Sequence, residues 1–195
     1  MSRLHTSFIL GYHGCEESFG KNAINGKMKF RPSSKDYDWL GNGIYFWEGD
    51  PQRALEWARE RMKRGGIRKP YVVGAIIDLG NCLDLTLREN AELARYAYDD
   101  LKIAQERAGL SMPSNHPPPG NPDDNDLVLR RLDCAVIERL YSIADQDNSL
   151  PKYDTARALF TEGKPLYESS GFREKTHIQI AVRNPDCIKG VFLPR

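Results

Sequence analysis

The chain lacks any long apolar run, and this absence excludes a membrane-spanning helix. Its 195 residues contain no stretch of about 18 consecutive apolar residues, which is the length that a helix needs to cross a bilayer. The N-terminal segment becomes polar too soon for a secretory signal peptide. Hydrophobic residues still make up 40% and aromatic residues 10% of the chain, which excludes a disordered protein. We therefore expect a folded, cytoplasmic protein with no membrane partner.

Cysteine is also scarce. The four cysteines are far apart in the sequence and include no Cys-x-x-Cys pair, so we expect neither a zinc site nor any other metal. In a chain without an export signal the thiols are expected to be reduced. A core stapled by disulfides is unnecessary, because a chain of this length can bury about 70% of its surface unaided. We predict one domain that spans residues 1–195.

The chain has little net charge, with a formal value of +1. This balance argues against a dedicated nucleic-acid coat protein. The charge is uneven, however, because the segment from Arg53 to Lys69 contains seven basic and two acidic residues. A nucleic-acid substrate is therefore not excluded.

Apolar periodicity and helix-terminal residues predict an α+β fold with a largely antiparallel sheet. The predicted strands span residues 6–12, 42–47, 71–79, 155–160, 177–182 and 188–193, and the predicted helices span residues 16–25, 51–64, 88–108 and 126–144. Asp50 and Asp126 are the expected N-caps of the second and fourth helices, and glycines follow the first three. Repeated prolines predict a loop over residues 112–125.

Three short segments carry the candidate chemistry. A His-Gly pair, residues 13–14, directly follows the first predicted strand. The segment Gly-Asn-Gly-Ile-Tyr-Phe spans residues 41–46, and His-Ile-Gln-Ile spans residues 177–180 in a later strand. Each pattern is common by itself, since aromatic residues and turn glycines usually serve the core and the loops. The order of the three along one chain is the informative feature.

Together these segments resemble the ADP-ribosyltransferase superfamily, in the branch that contains diphtheria toxin and the poly(ADP-ribose) polymerases. That branch carries a His-Gly on one strand, a Gly-x-Gly-x-Tyr-Phe segment on another, and a Glu, Asp or Gln on a later strand. The chain is similar to bacterial members whose third residue is glutamine, here Gln179. The resemblance runs from Tyr12 to Phe192. It implies an α+β fold with a split, mainly antiparallel sheet flanked by helices, and it implies NAD as the co-substrate.

The resemblance also implies roles for individual residues. His13 would hydrogen-bond a hydroxyl of the adenine-side ribose, and the backbone of Gly14 would meet the nicotinamide carboxamide, where the absence of a Cβ permits close approach. Tyr45 would stack on the nicotinamide ring, and Trp57 would cover its other face. Together with Gln179, His13 and Tyr45 form the expected catalytic set.

Two further residues are expected to contact the cofactor. Ser33 and Ser34 lie where related proteins contact the adenine ribose or the diphosphate, and of the two we expect Ser34 to bind the cofactor. Arg53, near a helix start, is placed to contact a phosphate. Turn serines and surface arginines commonly have no such role.

Glutamine at the third position changes the expected chemistry. Departure of nicotinamide leaves an oxocarbenium-like sugar, as in glycoside cleavage. Gln179 can hold the 2′-hydroxyl, but it carries no charge to offset that cation and cannot act as a base. Glutamine in place of an acidic residue favours the transfer of single ADP-ribose units over the elongation of an ADP-ribose chain. Glu168 and Glu174, in the loop before the strand, are the expected candidates for activating the acceptor.

The sequence thus favours a mono-ADP-ribosyltransferase that acts on a protein or a nucleic acid, as a bacterial toxin, effector or defence enzyme. An antitoxin or immunity protein would be a further partner. Two alternatives stay open, an NAD glycohydrolase and an inactive domain that binds NAD, ADP-ribose or nucleic acid. The related RNA 2′-phosphotransferases are disfavoured, because their arginine cluster has no counterpart at matching positions.

Overall fold

The computed structural model describes residues 8–118, 126–147, 149 and 152–195. Within these ranges the helices are α1 (Glu17–Ile24), α2 (Pro51–Lys63), α3 (Arg88–Ala108) and α4 (Arg131–Gln146). The strands are β1 (Phe8–Glu16), β2 (Ile44–Glu48), β3 (Pro70–Asp78), β4 (Cys82–Asp84), β5 (Asn115–His116), β6 (Leu129–Arg130), β7 (Thr155–Phe160), β8 (His177–Val182) and β9 (Ile188–Phe192). A 3₁₀ turn, Pro185–Cys187, precedes β9.

Seven strands form one sheet in the order β4-β7-β8-β2-β1-β3-β9. All neighbouring strands in it are antiparallel except β4 and β7. Strands β5 and β6 form a separate antiparallel pair. The fold is therefore α+β with a mainly antiparallel sheet, as the sequence predicted.

Helix α2 begins and ends where its sequence signals lie. The Asp50 carboxylate accepts a hydrogen bond from the Arg53 N–H at 2.8 Å, and Pro51 occupies the first helical position, where no donor is lost. Gly65, with a φ of 77°, follows the last turn. Gly109, with a φ of 66°, ends α3 in the same left-handed conformation.

Helix α4 begins at Arg131, so the prediction that Asp126 caps it was wrong. The cap comes from a residue distant in sequence: Oδ1 of Asn115 accepts hydrogen bonds from the N–H groups of Leu132 and Asp133 at 2.9 and 3.3 Å. Asp126 instead accepts from the N–H of Gly163 at 2.7 Å. The predicted loop over residues 112–125 thus contains the short strand β5. Its residues 119–125 lie outside the described residues.

Strand β1 is longer than predicted. It continues to Glu16, so His13 and Gly14 lie inside the strand and do not follow it. Residues 6 and 7 of the predicted strand lie outside the described residues. The extension places the His-Gly pair between two neighbouring strands, β2 and β3.

Two apolar clusters lie on opposite faces of the sheet. The first includes Phe46 and Ile180 and packs against α1. The second includes Tyr45 and Ala181, the neighbours of those residues along their strands, and packs against α3 and α4. Because side chains alternate across a strand, Trp47 lies on the same face as Tyr45. This face also carries α2 over β1, so a space remains between α2 and the start of α4.

Three of the four cysteines are buried, and Cys82 is half-buried. All four cysteines lie in the described ranges, and none forms a disulfide. Burial raises the pKa of Cys15 to about 12, and it raises the pKa of both Cys82 and Cys134 to about 11. In the part of the chain that the structure describes, no helix is both long and apolar enough to cross a membrane.

Candidate active site

The site begins where strands β1 and β2 separate. Gly11 pairs with Glu48 and Tyr12 pairs with Trp47, but the ladder stops there although both strands continue. The register would next place His13 opposite Phe46 and then Gly14 opposite Tyr45. Instead, Nδ1 of His13 lies 2.7 Å from the carbonyl oxygen of Tyr45, so a side chain replaces the backbone pairing. The sheet is therefore split at the predicted His-Gly pair.

His13 presents a hydrogen-bond acceptor to the site. A carbonyl oxygen can only accept, so Nδ1 carries the proton in the contact with Tyr45. Burial lowers the pKa of His13, and this effect exceeds the opposing effect of that hydrogen bond. The ring is therefore neutral at pH 7, and its Nε2 has a free lone pair. The edge-on contact with Phe30, at 5.2 Å between ring centroids, fixes the ring.

Gly14 must be glycine because of helix α2. A Cβ at this position would collide with the carbonyl oxygen of Ala54 and would lie 3.2 Å from the Trp57 ring. The sequence predicted glycine here because a ligand approaches closely, whereas in the structure it is the packing of α2 against β1 that excludes a Cβ. The carbonyl of Leu10 accepts from Gly49 on the β2 side, and backbone groups alternate along a strand. The N–H and C=O of Gly14 therefore point into the gap between β1 and β2.

A cavity of about 710 Å³ opens over this gap, a volume typical of small-molecule sites, which span roughly 300–1,000 Å³. The structure brings six of the predicted residues to its wall: His13, Ser33, Tyr45, Arg53, Trp57 and Gln179. They come from β1, the segment before β2, β2, α2 and β8. Trp47 lies between them and packs against Trp57 at 5.6 Å between ring centroids.

Gln179 is held in one orientation. It is 8% exposed and lies on β8 opposite Trp47 of β2. Its Oε1 accepts a 2.7 Å hydrogen bond from the indole N–H of Trp39, which can only donate. The amide NH₂ is therefore the end of Gln179 that remains for a ligand. Trp39 itself stacks on Phe160 and lies under the guanidinium of Arg130 at 4.4 Å.

Tyr45 contributes its ring and not its hydroxyl. The hydroxyl donates to the carbonyl of Gly41 at 2.8 Å and accepts from the N–H of Leu40 at 3.0 Å. Burial raises the pKa of this phenol. The group thus stays protonated and occupied, and the ring is fixed on the cavity wall.

Arg53 is a buried cation with spare donors. It is 8% exposed, and its Nη2 lies 3.3 Å from Oε2 of Glu162. Its Nε and Nη1 are buried and have no hydrogen-bond partner among the described residues. The indole N–H of Trp47 is in the same state, and the centroid of the Trp47 ring lies 5.8 Å from the guanidinium carbon of Arg53. Unpaired buried donors are costly, so these atoms are suited to an acceptor brought by a ligand.

Glu162 is the carboxylate that the sequence did not reveal. Its side chain is 13% exposed and lines the cavity, whereas Glu168 and Glu174 are exposed and are not in the wall. Its backbone carbonyl accepts from Lys175 at 2.9 Å, which extends the β7–β8 pairing. Strand alternation beyond Phe160 could have placed Glu162 on the same face as Gln179.

Ser34 lies outside the cavity. It is exposed, while its neighbour Ser33 lines the wall. The backbone of Ser33 pairs with that of Gly43 at 2.8 and 3.1 Å. In extended backbone the next side chain points the opposite way, and this turns Ser34 outwards.

Positive charge dominates the wall. Its basic residues are Arg31, Lys35, Arg53, Arg61, Arg64, Arg130, Arg131 and Lys175, and its acidic residues are Asp38, Glu60, Asp126 and Glu162. This surplus favours an anionic ligand. Among the residues that the structure describes, no group of three or more His, Cys, Asp or Glu side chains could hold a metal ion.

Comparison with known proteins gives one distant similarity. An uncharacterized protein of Methanocaldococcus jannaschii is 25% identical to this chain, over 91% of the chain and 83% of that protein. No protein-family model matches the chain. No solved structure matches it.

Proposed function

We propose that this protein is a mono-ADP-ribosyltransferase that transfers ADP-ribose from NAD to a macromolecular acceptor. One observation carries the proposal: His13, Tyr45 and Gln179, which are far apart in sequence, line the same cavity at a split in the sheet. These are the three residues that the resemblance assigned to catalysis. The unpaired donors and positive charge around them suit a dinucleotide.

The polar ends of NAD have partners in the cavity. Nε and Nη1 of Arg53 donate to a phosphate oxygen, which supplies the acceptor that these buried atoms lack. Nε2 of His13 accepts from a ribose hydroxyl, since Nδ1 is already used by Tyr45. The Arg53 atoms have no hydrogen-bond partner among the described residues, and Nε2 is the ring nitrogen of His13 that Tyr45 does not use.

The nicotinamide is held by backbone and rings. The N–H and C=O of Gly14 point into the gap between the strands, where they can pair with the carboxamide. The rings of Tyr45 and Trp57 line the same cavity and provide flat apolar surfaces for the pyridine ring. Fixed aromatic rings cost little entropy on binding.

In the reaction the bond between C1′ and the nicotinamide nitrogen breaks, and the electron pair leaves with neutral nicotinamide. The acceptor's nucleophile bonds to C1′ and loses its proton. The amide NH₂ of Gln179 donates to the 2′-oxygen and so fixes the sugar while it has oxocarbenium character. Gln179 supplies no negative charge. Glu162, a carboxylate of the wall that is only 13% exposed, is the candidate group to take the acceptor's proton.

Labelled NAD tests the proposal directly. Purified protein is incubated with cell lysate and NAD labelled in the adenylate phosphate, and nicotinamide release is followed in parallel. We expect label on a macromolecule, lost in Gln179→Ala and Tyr45→Ala and kept in Ser34→Ala, whose side chain lies outside the cavity. Nicotinamide release without label would identify water as the acceptor. NAD binding without release would identify an inactive domain.

A further inference from the structure

Two basic segments flank the cavity. Residues 18–35 contain five basic residues and no acidic residue, and residues 53–69 contain seven basic and two acidic residues. The rest of the chain contains 16 basic and 25 acidic residues. The near-zero net charge therefore conceals a strongly basic surface set against an acidic remainder.

Both segments contribute to the cavity wall. Arg31 and Lys35 come from the first, and Arg61 and Arg64 come from the second. None of these four has a carboxylate within ion-pair distance among the described residues. NAD brings one negative charge on each of its two phosphates. With eight basic and four acidic residues in the wall, positive charge remains for a second anionic molecule.

Aromatic rings alternate with these cations. Lys35 lies over Tyr37 at 5.4 Å, Arg61 over Trp57 at 5.6 Å, and Arg130 over Trp39 at 4.4 Å, each measured to the ring centroid. Arg130 and Trp39 also line the cavity, as do Tyr37 and Trp57. Single-stranded nucleic acids bind to surfaces of this kind, because their bases stack on rings while their phosphates meet cations.

We propose, on the basis of the proposed transfer from NAD, that the acceptor is a single-stranded nucleic acid. An acidic protein would match the charge, but it would make no use of the aromatic rings that alternate with the cations. The strand lies against the two basic segments and presents a base to the site. A nucleophilic nitrogen or oxygen of that base bonds to C1′ as nicotinamide leaves with the electron pair, and the proton of the nucleophile passes to the carboxylate of Glu162.

Binding is tested with fluorescein-labelled 12-nucleotide RNA and DNA of mixed sequence, by anisotropy over a series of salt concentrations. The test variant is Lys29→Glu/Lys63→Glu, which changes two exposed residues outside the cavity wall. The control is Lys102→Glu/Arg107→Glu on the exposed side of α3. We expect the test variant to bind about 10-fold more weakly. The slope of log binding constant against log salt concentration should be smaller in magnitude by about 1.4, because each lost phosphate contact removes roughly 0.7. The control should bind like the wild type. Equal binding by both variants would overturn the inference.

Transfer is tested by adding the same oligonucleotides to labelled NAD. We expect the label on the oligonucleotide and its loss on nuclease treatment, with about 10-fold less label for the test variant at limiting oligonucleotide. Nicotinamide release without acceptor should be unchanged in that variant. Label on protein alone would overturn the inference while supporting transfer. Oligonucleotide binding with the expected salt slope but without NAD cleavage would support the basic surface and contradict the proposed function.

Discussion

The indole N–H of Trp39 donates a 2.7 Å hydrogen bond to Oε1 of Gln179, although 140 residues separate the two in sequence. The contact decides which end of the amide faces the cavity. An amide can otherwise turn over and exchange its donor for its acceptor. Trp39 is therefore a positioning residue for the proposed reaction, since it acts on the sugar only through Gln179.

Replacing Trp39 by phenylalanine removes the donor and keeps a ring that can stack on Phe160. We expect kcat for nicotinamide release to fall about 10-fold, because a buried acceptor that loses its partner costs about 1–3 kcal/mol and Gln179 can then turn over. The KM for NAD should change little. Steady-state kinetics measure both. In the double variant Trp39→Phe/Gln179→Ala, the loss in kcat should equal that of Gln179→Ala alone, because Trp39 acts through Gln179. Additive losses in kcat would contradict the role of Trp39 as a positioning residue.

Gly14→Ala should destabilise the fold. The new methyl group would collide with the backbone carbonyl of Ala54, which a packed helix cannot easily move. Overpacking of this kind costs about 1–3 kcal/mol, measured as the loss in free energy of unfolding in urea. Gly171→Ala is the matched control, because its added Cβ would meet no atom within 4 Å. An equal effect at both glycines would refute the packing argument.

Arg53→Met should destabilise the protein by about 3 kcal/mol, because it leaves the carboxylate of Glu162 poorly solvated and unpaired. The double variant Arg53→Met/Glu162→Gln should recover most of that loss. It should not recover NAD affinity, since the proposed phosphate donors are gone. Urea unfolding and calorimetry separate the two effects. Wild-type NAD affinity in the double variant would exclude Arg53 from the phosphate site.

Acid should weaken the fold through two histidines. Burial lowers the pKa of His13 and His177 below the ordinary value of 6.5. Below about pH 6.5 these two histidines bind protons in the unfolded chain but stay neutral in the folded protein. The free energy of unfolding therefore falls as pH falls, by up to about 1.36 kcal/mol per pH unit for each histidine. Above that pH these groups contribute no slope. Urea unfolding between pH 7.5 and 5.5 should show a smaller slope in His177→Gln. An unchanged slope there, like that expected for the exposed control His116→Gln, would contradict the prediction.

Local signals predicted the parts of the fold that depend on neighbouring residues. The Asp50 cap, the glycines after α2 and α3, and the bounds of β8 need only a few adjacent positions, and each prediction was confirmed. The start of α4 was predicted wrongly, because its cap comes from Asn115, about one proline-rich loop away. A side chain that caps across such a distance leaves no local pattern.

The residues of the candidate site also fall into those that local sequence signals predicted and those that only the folded structure shows. His13, Tyr45 and Gln179 were found from short motifs that resemble a family, and the structure brings them to one cavity. The roles of Trp39 and Glu162 arise from their contacts with Gln179 and Arg53, which only the folded chain creates. Burial, and not sequence position, distinguishes Glu162 from the exposed glutamates after it.

The buried thiols have a practical consequence for labelling. Maleimides and iodoacetamides react with thiolates, and the raised pKa values of Cys15, Cys82 and Cys134 keep these groups protonated at neutral pH. A cysteine introduced at the exposed position Gly171 would react far faster than these three. A fluorophore could therefore be attached at residue 171 without first replacing these three cysteines.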